Sequence, residues 1–388
     1  MVHTILMKKL FLPKDYLSAL ELHFDIPLIN PVPKKLTPYA QTIGGMSDGL
    51  KKSKQRPDFI ASSYLNEKNF CDAYLLYYTT CNLLKIHHPL NELERSGFIE
   101  KKNLRVLDLG CGTGTMILGT SFWFYERYPG NEINFTAWDR SELALRTMEK
   151  FYQRFGWRYP LQTFRKDVES SAFDEASYDL ITGGNILNEL TGAGEERLIG
   201  ILERSLISEG YVILIEPALK NSSRRLLQFR DRMLQRGWFV YAPCFTKNPC
   251  PALVHPDDWC HHDVDWERPE FIAVIDEMIG HIRKSLKFTY LILSRQNGHL
   301  SDFIFSKRDF REQFRVVSEV FKEKGRRRIF LCNDLGRCEC LKNNRDHSSA
   351  NEVFDDLQRY DVIEISGMSE KKDVRRIGKE TSVRRYES

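Results

Sequence analysis

The segment Arg105-Val-Leu-Asp-Leu-Gly-Cys-Gly-Thr-Gly-Thr115 constrains the fold of this chain more than any other. Val106, Leu107 and Leu109 form the short apolar run of a strand covered on both faces. Gly110, Gly112 and Gly114 follow, removing Cβ atoms where the backbone must turn tightly and leaving main-chain amides open to a ligand. A second strand, Ile133-Asn-Phe-Thr-Ala-Trp-Asp139, ends in a carboxylate. Strand, glycine turn, helix, strand and acid, in that order, describe a nucleotide-type site with the acid placed for ribose hydroxyls.

The alternation continues downstream. A helix from Ser141 to about Phe155 has Ser141 as N-cap and Glu142 in its first turn. Strands are expected at Leu161 to Asp167, Tyr178 to Asn185, Tyr211 to Pro217 and Trp238 to Tyr241, with an amphipathic helix over Ser222 to Arg236. Six strands with interleaved helices make a doubly wound parallel sheet. The spelling Asp-Leu-Gly-Cys-Gly-Thr-Gly resembles the first motif of class I S-adenosylmethionine-dependent methyltransferases more than a dinucleotide fingerprint, because a pyrophosphate needs the longer turn. That resemblance implies an α/β fold with a seven-stranded, Rossmann-like core whose last strand is antiparallel; Phe288 to Ser294 fits it. It also implies that Asp108, Gly110, Gly112 and Gly114 line the cofactor pocket, that Asp139 takes the ribose and that Asp167 lies near the adenine.

The expected organisation is a helical region over residues 1–100, a methyltransferase-like domain over 101–295 with a Cys-rich insertion at 242–287, a β-rich region over 296–370 and a basic flexible tail over 371–388. In the helical region, Tyr74, Leu75, Tyr77, Tyr78 and Leu83 are expected to pack toward the core. The basic run from Lys51 to Arg56 reads as a solvated loop. With 42% hydrophobic and 28% charged residues the chain has the composition of a soluble globular protein, and no apolar run approaches the roughly 18 residues of a membrane span. Residues 1–13 lack the apolar stretch and cleavage site of a secretory signal, so a cytoplasmic location is expected, or a mitochondrial one if the cell is eukaryotic. Nine cysteines in such a chain argue for thiols or metal ligands rather than disulfides.

Cysteine also supplies the second signal. The stretch Ala242-Pro-Cys-Phe-Thr-Lys-Asn-Pro-Cys-Pro-Ala-Leu-Val-His-Pro-Asp-Asp-Trp-Cys-His-His-Asp263 gathers Cys244, Cys250 and Cys260 in a proline-stiffened loop too poor in apolar residues to fold alone. Soft thiolates held this way suit an iron–sulfur cluster or zinc, which would accept His255, His261 or His262 as a fourth ligand. Further thiols lie on Ile329-Phe-Leu-Cys-Asn-Asp-Leu-Gly-Arg-Cys-Glu-Cys-Leu341, two strands joined by an Asn-Asp-Leu-Gly turn. Strand alternation puts Cys338 and Cys340 on one face, and composition does not choose among them and Cys332.

These segments, with Phe288-Thr-Tyr-Leu-Ile-Leu-Ser-Arg295, resemble the mitochondrial small-ribosomal-subunit methyltransferase-like assembly factors and their bacterial relatives over about residues 57 to 345. The resemblance implies a 4Fe-4S cluster on Cys244, Cys250, Cys260 and Cys332, S-adenosylmethionine as a second cofactor, and binding to small-subunit ribosomal RNA. It departs from the family pattern at His261-His-Asp-Val-Asp265 and in a slightly longer spacing from Cys250 to Cys260. Such a cluster would be structural, tying the loop to a hairpin roughly 70 residues later and removing chain entropy from the unfolded state.

Arg326-Arg-Arg328 and the basic residues from Lys371 to Arg385 are expected to meet phosphates, with strands at 303–305, 326–332, 338–341 and 362–365. After the fourth strand the chain reads Gly183-Gly-Asn-Ile-Leu-Asn-Glu189, without the Asn/Asp-Pro-Pro-aromatic clamp of adenine amine methylation or a Pro-Cys nucleophile. Asn185, Asn188 and Glu189 are the candidates for orienting a substrate, or else cap the next helix. Two functions therefore stand: a cofactor-binding, monomeric assembly factor without a membrane partner, or an active rRNA methyltransferase. A small-molecule or protein methyltransferase with a zinc knuckle is a weaker third.

Overall fold

A computed structural model of the protein describes residues 9–51, 56–172, 177–305, 309, 311–371 and 374–386. The chain divides into two compact units made of interleaved segments: Met1–His88, Lys102–Leu206 and Asp263–Lys287 in the first, and Pro89–Lys101, Ile207–His262 and Phe288–Ser388 in the second.

The first unit holds β1 (Asn103–Leu109), β2 (Glu132–Asp139), β3 (Leu161–Arg165) and β4 (Tyr178–Gly184), all parallel in the order β3-β2-β1-β4. Leu104, Val106, Leu107 and Leu109 of β1 are buried, as a strand covered on both faces requires. The helix Thr115–Arg127 leaves the glycine turn and is buried over most of its length. A Cβ on Gly119 would lie 2.3 Å from the Leu83 carbonyl oxygen, so this helix runs backbone-close to the turn Leu83–Ile86 and only glycine fits. The helix Glu142–Gln153 starts as expected, with Ser141 Oγ accepting from the Ala144 amide at 3.1 Å.

The N-terminal helical segments complete this unit. Leu75, Tyr77 and Leu83 are fully buried. A π-helical turn spans Tyr74–Thr79, and Thr79 Oγ1 lies 2.6 Å from Thr113 Oγ1 and 3.2 Å from Thr115 Oγ1. The glycine turn is thus held by hydroxyls from outside the sheet. Of the basic run at 51–56, residues 52–55 lie outside the described residues.

In the second unit, β5 (Leu206–Pro217) and β6 (Phe239–Ala242) both pair antiparallel with β8 (Ser285–Ser294); β7 (His262–Asp265) precedes β8 in the chain. The runs 3-2-1-4 and 5-8-6, the latter turning antiparallel at its last strand in sequence, are those of a class I methyltransferase core. A separate sheet has the order β14-β15-β12-β11-β9-β13-β16, with β10 beside β11. Its strands are β9 (Gln313–Val316), β10 (Phe321–Glu323), β11 (Arg326–Asn333), β12 (Gly336–Asn343), β13 (Val362–Ser366), β14 (Ser369–Lys371), β15 (Val374–Ile377) and β16 (Ser382–Tyr386). Phe314, Val316, Ile329, Leu331, Phe354, Ile363 and Ile365 form its core.

The structure corrects two local expectations. Leu300–Ile304 is a short helix begun by a capping box between His299 and Asp302, so 303–305 is not a strand. The basic stretch expected as a flexible tail instead carries β15 and β16, and Ile377 and Val383 reach into the β-rich core. Arg326 and Arg328 pair with Glu323 at 2.6 and 3.0 Å, and Arg327 with Asp355 at 3.3 Å. The arginine triplet is therefore matched by carboxylates, which the linear charge run conceals.

Candidate cofactor pocket and thiol cavity

The β1 turn, the end of β2 and the segment after β4 open onto one cavity of the first unit, with about 760 Å³ of space that is partly open to solvent. Gly110, Gly112, Asp139, Asp167, Asn185 and Glu189 line it. Asp139 Oδ2 accepts from the Gly112 amide and Oδ1 from the Ser141 amide, both at 2.8 Å. Each oxygen keeps acceptor capacity for a ligand hydroxyl. Burial raises the Asp139 carboxyl, and the two amides oppose that rise. Asp167 Oδ1 accepts from the Glu169 amide at 2.9 Å.

Asp108 and Gly114 do not line this cavity. Asp108 is fully buried on β1, where Thr182 Oγ1 donates to its Oδ1 at 2.8 Å and its Oδ2 has no partner. Burial pushes its carboxyl up to about 8, so it is a protonated strut within the sheet at neutral pH. Gly114 has a φ of 86°, and a Cβ there would lie 2.5 Å from Met148 Cγ; it shapes the start of the following helix.

Nor do Asn185, Asn188 and Glu189 cap the following helix. Thr191 does so, its Oγ1 accepting from the Gly194 amide at 3.0 Å. Asn185 takes a left-handed φ of 60°, and Asn188 Nδ2 closes the turn on the Asn185 carbonyl at 2.9 Å. Asn188 also accepts from the Arg56 guanidinium and does not line the cavity. Glu189 does, and burial pushes it up to about 6 against the opposing charge of Arg140.

Residues that sequence reasoning missed complete the wall: Tyr64, Tyr74, Arg140 and Lys166. Tyr64 OH donates to Glu189 Oε1 at 3.3 Å, and Lys166 Nζ sits 4.4 Å from the centre of the Trp138 ring. Tyr74, expected only as core, begins the π-helical turn and lines the cavity.

The second unit holds another cavity, of about 720 Å³, lined by Cys244, Cys250, Cys260 and Cys332. Register explains why Cys332 joins the loop cysteines and Cys338 and Cys340 do not. Directly opposed residues of a strand pair share a face, and β11–β12 pairs Leu331 with Cys338 and Ile329 with Cys340. Those four face the β-rich core, whereas Cys332 and its partner Arg337 face the other way, into the cavity. The hairpin turn is the expected one, with Asn333 opposite Gly336.

The thiols sit in a demanding environment. Burial, then the neighbouring Cys244 and Cys260, push Cys250 up to about 12. Cys332 is raised strongly by burial and then by the other three. Burial raises Cys260 as well, and the raised thiols of Cys250, Cys260 and Cys332 cannot ionise together without a compensating cation. Cys260 Sγ lies 3.3 Å from Tyr360 OH. No histidine lines the cavity: His262 stacks on Tyr360 and His261 on Trp259. Among the described residues, no group of three or more His, Cys, Asp or Glu side chains is spaced to hold an ion, and no helix is long and apolar enough to cross a membrane.

Comparison with known proteins gives weak likenesses and one extensive match. A highly reducing polyketide synthase, gloL, from Glarea lozoyensis is 28% identical over 123 residues, covering 30% of this chain and only 4% of that protein. Among solved structures, the magnesium protoporphyrin IX methyltransferase ChlM from Synechocystis, with bound SAM, is 12% identical with a TM-score of 0.38, covering 62% of this chain and 97% of that one. The ribosomal protein L11 methylase of Lactobacillus delbrueckii is 16% identical with a TM-score of 0.31, covering 54% and 80%. The family model described as mitochondrial small ribosomal subunit Rsm22 matches residues 68–350, which take in the glycine turn, Asp139 and all four cavity cysteines. The mitochondrial description fits the alternative location rather than the cytoplasmic one. A match of that extent, over both cavities, makes this chain a member of the Rsm22 family of the mitochondrial small ribosomal subunit.

Proposed function

We propose that the protein is a methyltransferase-like factor of the small ribosomal subunit. It binds S-adenosylmethionine in the first-unit cavity, holds a 4Fe-4S cluster on Cys244, Cys250, Cys260 and Cys332, and contacts ribosomal RNA. The family match over both cavities carries this reading. The cofactor pocket suits it because Gly110 and Gly112 present backbone without side chains and Asp139 is pinned by two amides with acceptor capacity to spare. The thiol cavity suits it because four cysteines line one cavity, the donor set of a 4Fe-4S cluster. When bound, the cluster supplies cross-linking of the Cys244–Cys260 loop to β11, and the adenosyl cofactor an electrophilic methyl group. The chain's own work is to position the one with thiols and the other with backbone and Asp139.

Sedimentation with purified small ribosomal subunits tests the reading. Co-migration that survives near-physiological salt and weakens as salt rises is expected for phosphate contacts. A chain that stays at the top of the gradient with intact subunits and with assembly intermediates overturns it.

The second reading, an active RNA methyltransferase, is favoured by one observation: Asn185, Glu189, Tyr64 and Tyr74 share a wall with the glycine turn. Labelled methyl transfer to small-subunit RNA, lost in Glu189→Gln, would replace the first reading by the second.

A further inference from the structure

The thiol cavity contains more charge chemistry than its four cysteines. Two guanidiniums line it that are almost completely removed from solvent, Arg230 with no exposed side-chain surface and Arg315 with 3%. Arg315 pairs with Glu92 at 2.8 Å and donates to the Pro243 and Tyr360 carbonyls, its Nη2 remaining unpartnered. Arg230 is tied instead to the cysteine loop itself. Its Nη atoms donate to Asp231 Oδ1 and to the Thr246 and Asn248 carbonyls, while its Nε is buried without a partner. Asp231 is its direct ion-pair partner, and Cys244 and Cys250 line the same cavity. Asp231 in turn accepts from the Cys250 amide at 3.0 Å.

A buried N–H without an acceptor is destabilising, because it has lost water and gained no partner. A cavity lined by that same side chain and four thiols is where its acceptor would lie. We infer that Arg230 is the hydrogen-bond and charge partner of the iron–sulfur group proposed for Cys244, Cys250, Cys260 and Cys332, a positioning residue that offsets the group's negative charge through its free Nε–H. The inference rests on the cluster reading above. It gives Arg230 a role distinct from loop support, which is the work of Arg224. The Arg224 guanidinium donates to the Ala252, Leu253, His255 and Asp258 carbonyls from outside the cavity lining.

That contrast provides the test. The full chain and the variants Arg230→Gln, Arg230→Lys and Arg224→Gln are purified anaerobically, analysed for iron and sulfide, titrated for cluster reduction potential, and timed for iron loss to a chelator. Positive charge and hydrogen bonds to cluster sulfur favour the reduced state. Arg230→Gln is therefore expected to shift the potential to more negative values and to lose iron about tenfold faster, as outer-shell partners commonly do. Arg230→Lys, which keeps the charge, should recover part of the potential. Arg224→Gln should speed iron loss while leaving the potential unchanged. Equal potentials in Arg230→Gln and the native chain, or an equal shift in Arg224→Gln, overturn the role of Arg230 and leave the cluster reading standing. If Arg230→Gln does not fold, the Arg230→Lys potential decides: identity with the native value in both charge-keeping and loop variants overturns the Nε–H contact. A native chain without iron and sulfide overturns the cluster reading and this inference with it.

Discussion

The two cavities of this protein are built from contrasting materials. The first is centred on backbone, the positive-φ Gly110 and Gly112 and a left-handed Asn185, with the side chains of Asp139, Asp167 and Glu189 around it. The second is made of side chains, four thiols with the guanidiniums of Arg230, Arg315 and Arg337 around them. A backbone site depends on a contiguous run of residues, because neighbouring amides can converge only where the chain turns. A side-chain site can draw residues from far apart, and here it draws them from a loop and a strand of different parts of the sequence. Damage should differ accordingly. Losing one thiol should remove the second site as a whole, whereas losing one carboxylate should weaken the first by degrees.

The largest effect that would sharpen this contrast is in the thiol cavity. Cys250→Ala should abolish iron binding and, by analogy with opening a long cross-linked loop, cost about 3 kcal/mol or more of stability. Cys340→Ala, equally a cysteine truncation but in the β-rich core, should cost about 1–2 kcal/mol through the space left behind and leave the iron content unchanged. Iron analysis and urea unfolding of both variants check the pair. Loss of iron in Cys340→Ala would break the assignment of the fourth thiol to Cys332.

Next in size is the cofactor pocket. Asp139→Ala should weaken S-adenosylmethionine binding by roughly 10–100-fold, the range of a hydrogen-bonded charge, with the fold retained. Calorimetric titration measures it. Unchanged affinity would mean that the acid serves only the Gly112 and Ser141 amides.

The smallest effect concerns Asp108, the motif residue that the fold removes from the pocket. Its carboxyl is raised to about 8 in the folded chain by burial, well above its unfolded value. The folded state therefore binds the extra proton between the two values, and the resulting stability is present at low pH and lost as pH rises toward 8. Asp108→Asn should flatten that decline, so that the variant gains stability relative to the native chain as pH rises from 5 to 8. Unfolding curves at the two pH values are the measurement. An unchanged slope would show that the carboxyl is ionised and solvated, and would return Asp108 to the pocket wall.

Much of the first site was legible because its determinants are local. The strand ending in Gly110, the helix capped by Ser141 and the acid at the end of β2 depend on residue types at fixed short spacings, and the structure has them where the pattern put them. The roles of Asp108 and Gly114 were not legible. A motif states which residues recur near a turn, but not which of them face the ligand and which face the sheet. Tyr64 and Tyr74 were hidden for another reason: aromatic clusters in helical segments read as core, and a π-helical turn leaves no mark in composition.

The sequence by itself determined the strands β1 to β4 and their parallel class, the glycine turn at residues 110–114, the loop that gathers three cysteines, and the hairpin at Asn333–Gly336, since periodicity, turn chemistry and thiol spacing are properties of short segments. Tertiary structure alone decided that Cys332 and not Cys338 or Cys340 faces the other thiols, because strand register sorts residues onto faces. It also decided that the arginine triplet pairs with Glu323 and Asp355, and that Arg230, on the buried face of its helix, keeps an unpartnered Nε–H at the thiol cavity. Those outcomes depend on which side chains distant segments bring together, and short-range spacing carries no information about that.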